Sequence, residues 1–513
     1  MCQAGEDYAE PVGEGAAPAR PGRARSCARC EAGRPVVALR AGGAFCRACF
    51  RAHYTHKFRA VLGKNRLVFP GEKVLLAWSG GASSSSLVWQ VLEGLSRESA
   101  KRLRFVPGVV FVDEAAACGQ SPEARVQTLA QVKRFLDGIP WPSHTVALEE
   151  VFRLPPSVLR HADQEPPGPR EAYKAAVDSF LQRQWAGGTE AGPGAAPREE
   201  PPDQARLPPA AQTEALCRLF DSVATLTAKE ELLQTLRTHL ILHVARTHGY
   251  SKVMMGDSCT RLAIRLMTGL ALGRGAFLAW DTAFSDERYG DVVVVRPLRE
   301  HTLKEVAFYN RLFAVPTVFT PAISTKALEK GSVHRLVENF LLELQAWFPS
   351  TVSTVYRTSE KLLKAPKDES AAPRCLLCLC ALDVDPADSA TAFGAQTLRL
   401  SQPLPLGPAS CSPGMGSAQG CCWESGPCER SHAGAQLLEQ LCYSCRVTMK
   451  DLPSLDPLPP YILAEAQLRS QKCQCSGSPV GGPAPGPTGQ PPCGAGAAQE
   501  TQAPVPEPAA GDS

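Results

Sequence analysis

Nowhere does the chain run the 18 or so consecutive apolar residues that a membrane-crossing helix needs. Its first ten residues, MCQAGEDYAE, also lack the basic start and apolar core of a secretory signal. These two absences predict a soluble cytoplasmic protein with no membrane contact. Strong overall charge is missing too: 54 Lys and Arg stand against 51 Asp and Glu, a net of +3, so the chain is neither a uniformly basic nor a uniformly acidic one. No Gly-Lys-Ser/Thr follows a glycine loop at Walker spacing. His239 and His243 lie four apart but have neither a third ligand nor the intervening Glu of a zincin, so they read as ordinary helix positions.

Cysteine, by contrast, is plentiful. Twenty of them in a chain expected in a reducing compartment point to metal ligands and away from disulfides. Cys27-Ala-Arg-Cys30 and Cys46-Arg-Ala-Cys49 form two close pairs, and each pair can grip a tetrahedral ion from a tight turn. Together they make a closed four-thiolate shell for structural zinc, with no open position for catalysis. Cys375-Leu-Leu-Cys378 and Cys442-Tyr-Ser-Cys445 form a second, more widely spaced set. Cys380, Cys411, Cys421, Cys422 and Cys428 lie between the two pairs and remain alternative ligands.

At 513 residues the chain exceeds what one core usually fills. Composition divides it into a disordered N-terminus (1–24), a four-cysteine knuckle with a basic helix (25–66) and a first part of an α/β domain (67–184). A disordered linker (185–212) leads to a second part of that domain (213–365) and a second zinc-binding module (366–465) with a low-complexity insertion (381–435). A disordered tail (466–513) follows. Charge is uneven along this layout. Between Arg20 and Arg66, twelve Lys or Arg accompany one acid, Glu31. Such a block suits a polyanion, since each neutralised phosphate releases counterions; it equally describes a solvated basic face. Arg47, Arg51, Lys57, Arg59, Lys64 and Arg66 are the RNA-contact candidates. Arg261, Arg265 and Arg274 are further candidates for contact with RNA or a partner, and a solvated helix face explains the first two equally well.

In the middle, short apolar runs alternate with amphipathic segments. EKVLLAW (72–78), LRFVPGVVFVDE (103–114), HTVAL (144–148), SKVMMGD (251–257) and DVVVVRPL (291–298) read as strands. Helices are expected after the first of these, over 122–137, over a long stretch capped by a Thr227-x-x-Glu230 box, and after the last two strands. This alternation predicts a doubly wound parallel sheet, in which ligands bind at the carboxyl ends of strands. Ser79-Gly80-Gly81, followed by four serines, falls at such an end. A buried strand leading through Ser-Gly-Gly into a helix aims backbone N–H groups and a positive helix end at one spot, as a phosphate cradle does.

Ser79-Gly80-Gly81-Ala82-Ser83-Ser84-Ser85 resembles the PP-loop, the Ser-Gly-Gly-x-Asp-Ser-Ser/Thr pyrophosphate motif of ATP pyrophosphatases. With its cysteine knuckles, Val112-Asp113-Glu114, Gly256-Asp257 and Arg296-Pro297-Leu298, the chain is similar to the tRNA 2-thiolation branch of that family. It most resembles the family of the second subunit of the cytosolic tRNA thiouridylase, over about residues 27–465 apart from the linkers.

The resemblance implies a PP-loop α/β core flanked by four-cysteine zinc modules, with Ser79, Gly80, Gly81, Ser83, Ser84 and Ser85 in the nucleotide loop. Asp113, Glu114 and Asp257 become pocket candidates. It also implies a heterodimer with a catalytic PP-loop subunit, tRNA as partner, and sulfur from a thiocarboxylated ubiquitin-related modifier. The chain departs from active members at two places. Ser83 replaces the loop Asp that would help hold magnesium and ATP. In addition, EELLQTLR (230–237) and FAVPTVFTPAIST (313–325) carry none of the expected core cysteines. The expectation is a non-catalytic subunit. The alternatives are a competent ATP-dependent sulfurtransferase using Cys118 or Cys259, and a zinc-dependent protein adaptor. Against the adaptor, the first cysteine set lacks the interleaved eight-ligand pattern of a RING.

Overall fold

The structure is a computed structural model that describes residues 26–39, 43–96, 102–160, 169–186, 207–325, 331–364, 374–382 and 437–476. It divides into two units, Met1–Ser470 and Gln471–Ser513. The first carries the sheet and all the helices but the end of the last one, which is the described part of the second. The expected disordered segment 1–24, most of 185–212, nearly all of 381–435 and residues 477–513 of the expected tail lie outside the described residues, whereas residues 466–476 of that tail are helical and not disordered.

The chain opens with a two-stranded antiparallel ribbon, β1 (Val37–Leu39) and β2 (Gly43–Phe45), and a long helix, α1 (Arg47–Asn65). Strand β3 (Lys73–Ala77) then leads into α2 (Ala82–Leu95), followed by β4 (Val106–Asp113), α3 (Pro122–Asp137) and β5 (Ser143–Ala147). Helices α4 (Pro169–Ala186) and α5 (Ala210–Asp221) trim the expected linker at both ends. Next come α6 (Leu226–Thr247), β6 (Lys252–Met254), α7 (Cys259–Ala271), α8 (Leu278–Thr282), β7 (Ser285–Asp286), β8 (Val293–Val295) and α9 (Leu303–Phe313). Helices α10 (Val333–Trp347), α11 (Thr351–Ser359), α12 (Tyr443–Thr448) and α13 (Pro460–Ser476) complete the described elements.

Six strands form one sheet in the order β5-β4-β3-β6-β8-β7. All neighbours are parallel except β7, which pairs antiparallel with β8 at the edge. The apolar runs are continuous because both faces are buried. Leu75, Val110, Val253 and Val294 point into one core with α5 and α6, while Val74, Leu76, Val109, Phe111, Met254 and Val295 point into the other with α2 and α3. The expected doubly wound parallel sheet is therefore present, with one antiparallel edge strand that the sequence patterning did not indicate.

The expected capping box at Thr227 and Glu230 does not form. The N-cap of α6 is Thr225, whose side chain accepts from the Ala228 N–H at 3.2 Å. Thr227 lies inside the first turn and spends its hydroxyl accepting from the Val333 N–H, at the start of α10. The Ser/Thr-x-x-Glu spacing was real, but a threonine two residues earlier already met the free amide.

Candidate functional site

Between β3 and α2 the chain makes a tight turn at Gly80, whose φ of +78° suits glycine. A Cβ there would lie 2.6 Å from the Val318 carbonyl oxygen. The segment after α9 runs against the loop: the Val318 N–H donates to the Gly80 carbonyl and the Thr320 hydroxyl to that of Ser79, both at 3.0 Å. Gly256, just past β6, allows a similar approach, since a Cβ there would lie 2.9 Å from the Ser84 backbone nitrogen. Gly81 caps α2 without a side chain.

The serines divide by role. Ser84 Oγ accepts from the Ser79 N–H at 3.2 Å and donates to the Gly81 carbonyl at 3.1 Å. Ser85 Oγ accepts from the Trp78 indole at 2.9 Å and donates to the Gly80 carbonyl. Ser86 Oγ bonds the Tyr54 hydroxyl at 2.7 Å. These three are buried and hold the loop's shape. Ser83 is half-buried and, with Ser79 and Gly81, lines a cavity of about 720 Å³ that reaches from the loop to Leu377 and Cys378.

The acids at the strand ends are all engaged by arginines. Asp113 takes the Arg125 Nε at 2.7 Å, and the same guanidinium clasps Glu149 at 2.6 and 3.0 Å; all three residues are buried. Both Glu114 oxygens bond Arg237, which also bonds Gln234 at 2.9 Å. Asp257 meets Arg265 at 3.1 Å and Arg296 at 3.3 Å. Burial pushes the Asp257 pKa up, but Arg265 and then Arg296 outweigh it and hold the carboxyl below its ordinary value. Farther along the cavity Arg288 binds Asp281 and Asp286, and Arg274 binds Glu231 at 2.9 Å. The buried Oε2 atoms of Glu230 and Glu231 both lack a hydrogen-bond partner, and that of Glu231 is met by the charge of Arg274 alone.

Sequence reasoning names the three strand-end acids but not their partners: it does not single out Arg125 and Arg237, reads Arg265 as a contact for RNA or a partner, and meets Arg296 only as part of a motif. Spacing puts Glu231, Gln234 and Arg237 at helical intervals on α6 and Asp286, Arg288 and Arg296 around β8, but it does not tell which acid each arginine meets.

The thiols proposed as sulfur carriers are poorly suited to that role. Burial pushes Cys118 and Cys259 each up to about 12, so neither is a thiolate at neutral pH. Cys259 packs among Leu262, Leu341 and Tyr356.

Among the described residues, two groups of four thiols converge: Cys27, Cys30, Cys46 and Cys49, and Cys375, Cys378, Cys442 and Cys445. The sulfurs of each group lie within 4.8 Å of one another, an arrangement that could hold a metal ion. Backbone N–H groups, that of Cys46 foremost, draw the Cys27 thiol down to about 6, while burial and the neighbouring thiols push Cys49 up to about 12. Cys380 stands outside the second group and accepts from Arg288 at 2.8 Å. Each group is tied to the body through a buried histidine. His301 Nε2–H donates to the Tyr54 carbonyl of α1 at 3.0 Å. His239 Nε2–H donates to the Leu377 carbonyl at 2.8 Å, which leaves Nδ1 to accept from the Tyr461 hydroxyl at 2.6 Å. His239 is thus an ordinary helix position with a structural role.

Several of the RNA-contact candidates bind within the protein. Lys57 pairs with both Glu305 oxygens at 2.9 and 3.0 Å, Arg51 bonds Glu93 at 2.9 Å, and Arg47 bonds the Leu312 carbonyl at 2.8 Å. Arg47 and Arg51 both remain exposed and lie over the Phe313 ring. Lys64 and Arg66 are exposed at the end of α1, and Arg59 is half-buried. Arg265 and Arg274 face the cavity in ion pairs and do not form a solvated face, whereas Arg261 is 58% exposed with Glu338 at 3.9 Å.

Fold and site together define a doubly wound α/β protein with a glycine-serine loop at the end of a central strand and two four-thiol knuckles. Comparison with known proteins makes the class specific. Over 496 residues the chain is 69% identical to human cytoplasmic tRNA 2-thiolation protein 2, covering 92% of this chain and 96% of that one. It is 48% identical over 491 residues to the zebrafish (Danio rerio) protein of the same name, covering 92% and 97%. A family model described as cytoplasmic tRNA 2-thiolation protein 2 matches residues 332–447. The chain belongs to the cytoplasmic tRNA 2-thiolation protein 2 family. Among solved structures, a U34-tRNA thiolase, NcsA from Methanococcus maripaludis with its [4Fe-4S] cluster, is 14% identical. It has a TM-score of 0.43 over 66% of this chain and 88% of that one, a likeness too distant to carry an argument.

Proposed function

We propose that this chain is the non-catalytic subunit of the cytosolic heterodimer that forms 2-thiouridine at the wobble position of the tRNAs for lysine, glutamine and glutamate. Family membership supports a role in cytoplasmic tRNA 2-thiolation. The observation that carries the accessory role is the state of the loop's mouth. Serine stands at position 83, and Asp113, Glu114 and Asp257 are each spent on an arginine. Magnesium bound with a nucleotide needs one or two free carboxylates, and a sulfur carrier needs a thiolate. These three strand-end acids offer no free carboxylate, and Cys118 and Cys259 are held protonated.

In this reading the catalytic PP-loop subunit supplies the loop Asp and the sulfur-handling cysteines. Sulfur comes from a thiocarboxylated ubiquitin-related modifier. Arg47, Arg51, Arg59, Lys64 and Arg66 contribute to tRNA binding, and zinc in the two four-thiol groups is structural. The protein works in the cytoplasm; none of its described helices is long and apolar enough to cross a membrane.

Calorimetry with ATP and magnesium tests the reading. The natural chain is expected to show no binding and Ser83→Asp at most weak binding, because the neighbouring acids stay paired. Magnesium-dependent ATP binding by the natural chain, with ATP turnover and thiolation lost in Cys118→Ser or Cys259→Ser, would instead favour the competent enzyme.

A further inference from the structure

Helix α10 leaves more large apolar surface outside than it puts inside. Of its fifteen residues only Leu341 is buried, against Leu262 and Ile264 of α7 and Val352 and Tyr356 of α11. On the opposite side Leu336, Phe340, Glu343 and Trp347 recur at spacings of four, three and four, which places them along one face. Leu336 is 50% exposed, Phe340 51%, Trp347 73% and the adjoining Phe348 64%. Together they present on the order of 500 Å² of apolar surface, at the upper end of what a monomer leaves in one patch and a large part of the roughly 800 Å² that each side of a standard interface buries.

The charges along this ridge are of one sign. Both basic side chains of α10 turn into the body: Arg335 donates to the Ser324 carbonyl at 2.6 Å, and His334 bonds Glu231 at 2.8 Å. Glu343 stays exposed within the apolar row. A second copy of the chain laid on the ridge would bury two Glu343 carboxylates with no cation on either helix to meet them, a costly arrangement. A partner with an apolar face and a lysine or arginine opposite Glu343 meets no such penalty. The family model also begins at residue 332, so the segment that marks this family includes all of α10.

We infer that the α10 ridge is the docking surface for the catalytic PP-loop subunit, which meets it with an apolar, basic-rimmed face. This rests on the heterodimer reading above.

The test is affinity between full-length chains. The wild-type chain, a Phe340→Glu/Trp347→Glu variant and a Lys133→Glu control on the exposed face of α3 are each titrated with the catalytic subunit, and association is followed by sedimentation. Melting curve and metal content report the fold. The ridge variant is expected to keep both and to lose about a hundredfold in affinity or more, with Lys133→Glu within a fewfold of wild type. A Glu343→Lys variant, which alters no apolar contact, is expected to weaken binding more than Glu343→Gln. Wild-type affinity in the ridge variant would overturn the surface while leaving the heterodimer intact. Failure of the wild-type chain to bind the subunit would sink both readings. A wild-type self-dimer abolished by the ridge variant would assign the ridge to a second copy instead.

Discussion

The two knuckles use the same four-thiol set at the same Cys-x-x-Cys spacing, yet they sit in opposite relations to the core. In the first, Cys27 is buried but Cys30 is exposed and Cys46 and Cys49 are half-covered, and the thiols hang between a three-residue ribbon and the start of α1. Its apolar contacts form a small separate cluster of Val37, Phe45, Phe50 and Tyr54 with Val306, Tyr309 and Val315. In the second, Cys375, Cys442 and Cys445 are buried and share one continuous core with Leu75 and Val110 of the sheet and Leu236 and Leu240 of α6. The same ligand chemistry therefore couples to folding in two ways. A metal in the first group would order a surface module, whereas one in the second would hold a wall of the main core, with Cys378 opening onto the cavity.

The largest effect is expected where that coupling is tightest. Cys442→Ser leaves an unpaired hydroxyl among buried thiols and removes a ligand from a group whose neighbours include Leu376, Leu441 and Tyr461. Structural zinc in small modules contributes on the order of 10 kcal/mol of folding free energy. Loss of half of that is comparable with the whole stability of a typical domain. The variant is expected to lose its second-site metal and to collect in the insoluble fraction, or to melt far below wild type. Metal analysis and a thermal melt decide the matter. A soluble variant with a wild-type melt would show that this knuckle is not part of the core.

How much of this was legible in the sequence depends on whether the signal was local. The sheet was readable because its strands are apolar on both faces, and the four-thiol groups because close pairs of thiols are short-range patterns. The second group was drawn together correctly across a long intervening segment, since Cys-x-x-Cys is a unit at each end. The arginine partners of Asp113, Glu114 and Asp257 were not readable. Arg125 and Arg237 lie 12 and 123 residues from the acids they meet, and nothing in a single sequence registers a side chain on one element against the end of another strand. The loop was legible in shape and misleading in detail. Four serines after Gly81 look like ligand donors, but three are turned inward: Ser84 bonds the loop's own backbone, and Ser85 and Ser86 meet the buried polar groups of Trp78 and Tyr54.

An intermediate effect should come from pH, through the two histidine ties. Burial holds both His239 and His301 neutral down to about 4, below the ordinary value of 6.5. As pH falls below 6.5 the unfolded chain takes up a proton at each site before the folded chain does, so stability drops between about 6.5 and 4 and levels off below that. At pH 5 each histidine costs on the order of 2 kcal/mol relative to pH 7. His301→Gln retains a donor for the Tyr54 carbonyl and cannot titrate. Urea melts of this variant at pH 7 and pH 5 should therefore differ by about 2 kcal/mol less than those of wild type. An unchanged difference would mean that His301 is not held neutral, and the tie between α1 and the body would need another account.

The smallest effect is expected at the first knuckle, and it is the sharper test of the contrast. Cys30→Ser removes an exposed ligand, so the metal should leave and residues 26–46 should loosen. Helix α1 has anchors that owe nothing to that metal. Phe58 and Val61 belong to the core on the α2 side of the sheet, Lys57 binds Glu305, and Tyr54 bonds Ser86 and stacks on Tyr309 with ring centroids 4.1 Å apart. With those contacts intact, the main unfolding transition should move by no more than about 1–2 kcal/mol, while metal content falls by one ion per chain. Limited proteolysis should then cut between Cys27 and Cys46 and spare α1. If Cys30→Ser instead lowers the main transition as far as Cys442→Ser does, the ribbon and α1 fold as one unit with the sheet. The separate apolar cluster around Tyr54 would then be part of the same cooperative core as the second knuckle.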